Sequence, residues 1–223
     1  RPFMPLNKKF PLARNLQMMR LSESRVLVAG KSCAGMLREM LPQLEQPMKV
    51  ILEEDASAWQ REFPRHEFIH ALPAEELLQP PRATAGHIAY LLFTSGTTGQ
   101  PKGVPVANRN LMAYMAYMLD KYQFRESDRF SHTFDLTFDL SVHDMMLSWL
   151  SGATLCIPDD DNPLRMAKYI RGKKISVWFS VPSAGLLMNR MRLLKPASFP
   201  GLRMSFFCGE PLPASIAEQW QDA

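Results

Sequence analysis

Short apolar, β-rich runs alternate with helix-period segments along nearly the whole chain. "RVLVAG" (25–30) precedes "AGMLREMLPQLE", and "MKVILEE" (48–54) and "HIAYLLF" (87–93) follow. Then come "NLMAYMAYMLDKY" (helix), "DRFSHTF" (strand), "SVHDMMLSWL" (helix), "ATLCIP" (strand), "PLRMAKYIRG" (helix), "ISVWFSV" (strand), "AGLLMNRM" (helix), "LRMSFFC" (strand) and "PASIAEQW" (helix). Strands that alternate with helices are joined by crossovers, which makes neighbouring strands parallel and sandwiches them between helices. The predicted class is therefore α/β, with repeated βα units forming parallel sheets covered by helices. In such sheets ligands bind beyond the carboxyl ends of the strands. Residues 55–86 are polar and proline-bearing, and they read as a connecting segment with one helix around Pro73 to Leu78. Leu111, Met115, Met118 and Tyr122 fall on one helical face, a stripe that predicts core packing.

Composition narrows the function classes. With 46% hydrophobic residues, 223 residues suffice for one large core or two ordinary domains. The net charge of +4 comes from 26 basic and 22 acidic residues with no like-charge block, so nucleic acid is not an expected partner. Three cysteines, Cys33, Cys156 and Cys208, lie far apart without metal-ligand spacing, which suits a reducing, cytoplasmic setting. No apolar run is long enough to predict a membrane span, and "RPFMPLNKKFPLARN" has no signal-peptide core. The absent initiator methionine and the uncapped helical pattern of "IAEQWQDA" lead to the expectation that both ends are cut.

"LLFTSGTTGQPKGVPV" (91–106) interrupts an apolar run with glycines, hydroxyls and one lysine. Glycines let backbone amides turn toward an anion, serine and threonine add donors, and lysine supplies countercharge. The stretch is not a Walker loop, because Gln100 and Pro101 separate Gly99 from Lys102 and Gly103 follows. Taken alone, a Gly/Thr-rich loop is also an ordinary surface loop.

The ten residues "TSGTTGQPKG" resemble the phosphate loop of adenylate-forming enzymes, the superfamily of acyl-CoA synthetases, luciferases and amino-acid adenylation domains. The resemblance implies that Thr94, Ser95, Gly96, Thr97, Thr98, Gly99 and Lys102 handle the phosphates of ATP. Thr94 and Lys102 are then the catalytic positions, and Thr94 stands beside Mg²⁺. Many members carry histidine in the next helix's first turn, where this chain has Asn108. The implied chemistry is attack of a substrate carboxylate on the α-phosphorus with loss of pyrophosphate. It needs positioning and charge stabilisation rather than a protein nucleophile.

In "FDLSVHD" (138–144), Ser141 and Asp144 have the spacing of a helix-capping pair, which predicts Asp139 just before a helix. Asp139 sits among Phe134, Leu136, Phe138 and Leu140. A carboxylate in that company calls for a cation, although a plain turn role fits the bare sequence equally. The stretch resembles the Phe-Asp-x-Ser motif of amino-acid adenylation domains, in which the aspartate binds the substrate ammonium group. Asp135, in the preceding "FDL", lacks the serine in register.

"WFSVPS" (178–183) and "FFCGEPLP" (206–213) also resemble this family, closest to D-alanine-activating ligases and stand-alone adenylation proteins that feed carrier proteins. By that resemblance His143, Phe179, Phe206 and Cys208 line the side-chain pocket, and Gly209, Glu210 and Pro211 lie along the adenine. The bare residues leave a second reading for each: Phe179 and Phe206 as ordinary core, His143 facing solvent, Cys208 as a small buried filler. Two phenylalanines by the pocket predict a small substrate such as alanine, glycine, serine or proline.

The resemblance to the family's Pro-Leu-x-x-x-x-Pro-x-x-Arg segment gives Arg14 a structural role. It implies that residues 1–223 are part of a large N-terminal adenylation domain, with no C-terminal domain present, since no "YGPTE" occurs. The expected parent makes an aminoacyl-adenylate from ATP with Mg²⁺ and passes it to the phosphopantetheine thiol of a carrier protein, as in nonribosomal peptide synthesis. The 223 residues alone are expected to be inactive and to self-associate. The alternatives are a non-catalytic module retaining the fold, an acyl- or aryl-acid ligase, and a plain kinase or ATPase.

Overall fold

The computed structural model describes residues 2–70, 83–95, 100–159 and 162–223. The predicted helix at 73–78 and Gly96, Thr97, Thr98 and Gly99 lie outside the described residues. The chain divides into two compact units, Arg1–Asn110 and Leu111–Ala223.

In the first unit, helix α1 (Leu12–Ser22) leads into strand β1 (Val26–Ala29). Then come α2 (Ala34–Met40), β2 (Lys49–Leu52), α3 (Ser57–Glu62) and β3 (Glu67–Ile69). The three strands form a parallel sheet in sequence order, with Val26 opposite Lys49 and Lys49 opposite Glu67. Strand β1 alternates, burying Leu27 and Ala29 while Val28 points outward. Its inner face packs with Leu37, Met40, Leu41, Val50 and Trp59 into one core. Both α3 and β3 fall in the stretch that the sequence marked as connecting. Trp59 explains α3: its ring is 3% exposed, and the guanidinium of Arg38 covers it at 4.6 Å. Arg14 stacks on Phe10 at 4.4 Å, in keeping with a structural role.

The Gly/Thr stretch departs from the βα pattern. Strand β4 (Ile88–Thr94) pairs antiparallel with β5 (Lys102–Ala107), so the loop crosses a hairpin before any helix begins. Thr94 stands opposite Lys102, and Phe93 opposite Gly103. A side chain at Gly103 would come within 3.2–3.3 Å of Leu91 and Phe93, so glycine lets the two strands close up there. Pro105 is tolerated because, among the described residues, β5 pairs only with β4, which leaves its other edge without a ladder to interrupt. On the far side of β4, Phe3 forms a parallel bridge to Tyr90.

Helix α4 (Asn108–Tyr122) carries the chain into the second unit. The elements that follow are β6 (Arg129–Ser131), α5 (Asp139–Leu150), β7 (Thr154–Cys156), α6 (Met166–Gly172), β8 (Val177–Ser180), α7 (Pro182–Arg190), β9 (Met204–Phe207) and α8 (Ala214–Asp222). All four strands are parallel, in the order β7-β6-β8-β9. The chain moves from β6 outward to β7 and then returns past β6 to β8. Strand direction of travel therefore reverses at β6/β8, a topological switch point.

Every residue of β8 is buried, as expected of a strand covered on both faces. Val177 joins Met115, Met118, Phe130 and Leu147 on one side, and Trp178 joins Met188, Phe199 and Trp220 on the other. The Leu111/Met115/Met118/Tyr122 stripe is core, with Met115 1% exposed. Burying a side chain such as Phe130 stabilises by about 2 kcal/mol. Below the sheet, Asp128 is clasped by the Arg203 guanidinium and accepts from the Arg125 amide and the Ser176 hydroxyl. Burial pushes the Asp128 carboxyl upward, but Arg203 and the other donors outweigh it and hold the carboxyl below its ordinary range.

Candidate functional site

The candidate site residues of the second unit gather where the switch point places them. Asp139 opens α5 on the chain that leaves β6, Phe179 lies near the carboxyl end of β8, and Cys208 directly follows β9. Phe179 and Phe206 are register partners on β8 and β9, with ring centroids 6.0 Å apart in an edge-to-face arrangement.

Asp139 is the first helical residue of α5 and is exposed. Among the described residues its carboxylate has no ion-pair partner. The capping pair predicted from Ser141 and Asp144 does not form. The N-cap is Phe138, in extended conformation and without a side-chain cap bond, and the Ser141 hydroxyl donates to the Phe138 carbonyl at 2.7 Å. Asp144 is instead 1% exposed, with a carboxylate oxygen 3.7 Å from His132 Nδ1. Burial raises its pKa to about 7, against the opposing pull of His132. Spacing suggested a cap, but Asp144 lies on the buried side of the helix. Asp135 accepts from the Thr137 amide and hydroxyl at 2.9 and 2.6 Å, the local turn expected of a residue outside the motif.

His143 does not face solvent. It is 4% exposed, and its ring lies 4.6 Å from that of Phe179 and 5.7 Å from that of Phe206. Its Nδ1 is hydrogen-bonded to the Tyr114 hydroxyl at 2.8 Å. Burial lowers its pKa to about 4, so the ring is neutral at physiological pH. Phe179 is 6% exposed and Phe206 is half-buried, and both pack in or against the core. Burial, then Asp139 and Asp144, raise the Cys208 thiol, which keeps it protonated and unsuited to nucleophilic attack.

The sequence reading missed Tyr114, which lies one residue before the apolar stripe position Met115. Burial, then the electrostatic influence of Asp139 and Cys208, pushes its hydroxyl up to about 12, placing it in the same electrostatic neighbourhood.

Gly209 has φ +84°, a left-handed conformation that favours glycine, and it turns the chain out of β9. Next to it, the Glu210 carboxylate accepts from the Ser183 amide and hydroxyl at the start of α7. Pro211 is exposed.

In the first unit, Thr94, Ser95 and Lys102 are exposed where β4 ends and β5 begins. Asn108 is tied to its own surroundings, donating from Nδ2 to the Thr84 carbonyl at 2.9 Å. Among the described residues no group of three His, Cys, Asp or Glu could hold a metal, and no helix is long and apolar enough to cross a membrane.

Comparison with known proteins gives these positions a context. The L-proline–[L-prolyl-carrier protein] ligase of Pseudomonas fluorescens is 32% identical over 217 residues, 95% of this chain and 41% of the ligase. The D-alanine–D-alanyl carrier protein ligase of Bacillus velezensis is 26% identical over 226 residues, 98% of this chain and 40% of the ligase. The Vibrio cholerae adenylation domain AlmE, solved in complex with glycyl-adenosine-5'-phosphate, matches with a TM-score of 0.91 at 29% identity, covering 99% of this chain and 43% of that one. The chain thus spans about two fifths of the length of these relatives. A family model described as AMP-binding enzyme matches residues 2–223, and the chain belongs to that family.

Proposed function

We propose that the chain is part of the large N-terminal domain of an amino-acid adenylating ligase whose C-terminal domain lies outside these residues. The ligase joins ATP and an amino acid into aminoacyl-AMP, then delivers the aminoacyl group to the phosphopantetheine thiol of a carrier protein, in the manner of nonribosomal peptide synthesis. The observation that carries this reading is Asp139. Among the described residues it is a carboxylate without an ion-pair partner, in the first turn of a helix at the carboxyl side of a parallel sheet; it lies four residues before His143, whose ring packs on Phe179 and Phe206, and its charge acts on Tyr114 and Cys208. Such an acid can pair with a substrate ammonium, a charge-assisted contact that rejects acids lacking an amine. Neutral His143 adds no competing cation. The aromatic backing favours a small side chain: alanine, glycine, serine or proline. The prolyl, D-alanyl and glycyl groups for which these relatives are named or with which they are solved support that size class.

Thr94, Ser95 and Lys102, with Gly96, Thr97, Thr98 and Gly99, form the phosphate loop, and Lys102 provides countercharge. The Thr94 hydroxyl is a hard oxygen donor of the kind Mg²⁺ accepts. With no carboxylate cluster among the described residues, the phosphates would supply most of the remaining ligands. Mg²⁺ bound there would neutralise phosphate charge. The substrate carboxylate oxygen forms a bond to the α-phosphorus while the bond to the bridging oxygen breaks, and the electron pair leaves with pyrophosphate. Gly209, Glu210 and Pro211 lie along the adenine. Three free cysteines suit a cytoplasmic protein.

The test is amino-acid-dependent ATP–pyrophosphate exchange by the intact protein that carries this chain, with the 223 residues alone expected to show none. Small amino acids should give the highest kcat/KM. Asp139→Asn should lower it about 10- to 100-fold, the range for loss of a charge-assisted hydrogen bond. Best activity with large aromatic amino acids overturns the size class, and an unaffected Asp139→Asn variant points to an amine-free acid. ATP hydrolysis without any carboxylate substrate indicates a plain ATPase.

A further inference from the structure

We propose that Tyr114 is a positioning residue of the amino-acid pocket: its hydroxyl fixes the His143 ring against Phe179, and this sets the size limit for the substrate side chain. The proposal rests on the reading of Asp139 and His143 as substrate residues given above.

Tyr114 is 44% exposed, whereas Met115 and Met118 beside it are buried. Its ring is therefore not held by burial in the way the stripe is. Its hydroxyl nevertheless reaches His143, a residue 4% exposed, at 2.8 Å. His143 Nε2 is buried with no partner, so among the described residues the Tyr114 bond is the one hydrogen bond the imidazole makes. Phe179 and Phe206 hold the ring's position by packing, but packing against aromatic faces does not distinguish a ring nitrogen from a ring carbon. A turn of the imidazole about its Cβ–Cγ bond would keep those contacts and lose only the bond to Tyr114. That bond links α4 to α5, four residues beyond Asp139. The groups facing the pair are Asp139, Asp144, Cys208 and Tyr122, which all act on the Tyr114 hydroxyl.

The experiment compares the intact wild-type protein with Tyr114→Phe, His143→Phe and the double variant. It measures pyrophosphate exchange with glycine, alanine, proline, leucine and phenylalanine. Tyr114→Phe should raise KM for the preferred small amino acid about tenfold, the scale of one lost hydrogen bond. The kcat and the KM for ATP should stay within about twofold, with the relative kcat/KM for leucine rising. In the His143→Phe background the same change should have no further effect. ¹⁵N imidazole shifts should show one neutral tautomer for His143 in wild type and two interconverting forms in Tyr114→Phe. Unchanged selectivity and ring shifts in Tyr114→Phe overturn the proposal, as does an equal selectivity change in the His143→Phe background. A wild type that exchanges with no amino acid overturns the pocket reading and the size limit with it, while the ring shifts still report whether Tyr114 ties His143.

Discussion

Ser183 donates twice to Glu210, from its amide to one carboxylate oxygen at 2.9 Å and from its hydroxyl to the other at 3.1 Å. The clasp ties the turn after β9 to the first turn of α7, where free amides and the helix's positive end favour an anion. Both residues are exposed, so the energy is modest. Glu210→Gln should destabilise by about 0.5–1 kcal/mol in urea unfolding, with a smaller loss in high salt. A loss unchanged by salt would show that geometry rather than charge holds the turn.

Acid should weaken the second unit through His143. Burial lowers its pKa from 6.5 to about 4, so the unfolded chain takes up a proton before the folded one does. The stability this group contributes is complete above about 6.5 and is lost as pH falls toward 4. It amounts to about 3 kcal/mol by linkage. His143→Phe should flatten the urea-midpoint profile across that interval. A variant profile as steep as wild type would assign the acid sensitivity elsewhere.

Asp144 carries the opposite sign. Burial raises its pKa from 3.8 to about 7, so the folded state holds the proton that the unfolded state releases. Its contribution is full below about 3.8, falls as pH rises and is gone above about 7. Asp144→Asn should therefore gain stability relative to wild type at pH 8 compared with pH 4. The expected gain is on the order of 4 kcal/mol. Thermal melts at the two pH values read it directly, and an equal difference at both would mean that the pair with His132 keeps Asp144 charged throughout.

The alternation of β and α segments was legible because parallel strands such as Val177–Ser180 are buried at every position and, Ser180 apart, apolar, so they need no periodicity to stand out. Strand β5 was not, because Gly103 and Pro105 read as loop chemistry, and only the edge position excuses them. Helix α3 and strand β3 hid in a polar stretch, where Trp59 anchors a single short helix. At the site, the spacing of Ser141 and Asp144 put Asp139 just before a helix, and it is the first residue of α5. The cap inferred from Ser141 and Asp144 failed because spacing alone does not show which side of a helix is buried. Tyr114 was invisible for a related reason: its partner is 29 residues away, across two elements.

Phe179 and Phe206 are rungs of one ladder, fixed opposite each other by main-chain bonding between β8 and β9. Adjacent strands keep a spacing of about 4.8 Å whatever side chains they carry. In the proposed pocket, exchanging those rings would therefore deepen or fill the space offered to the substrate. Widening it would mean prying the backbone ladder apart.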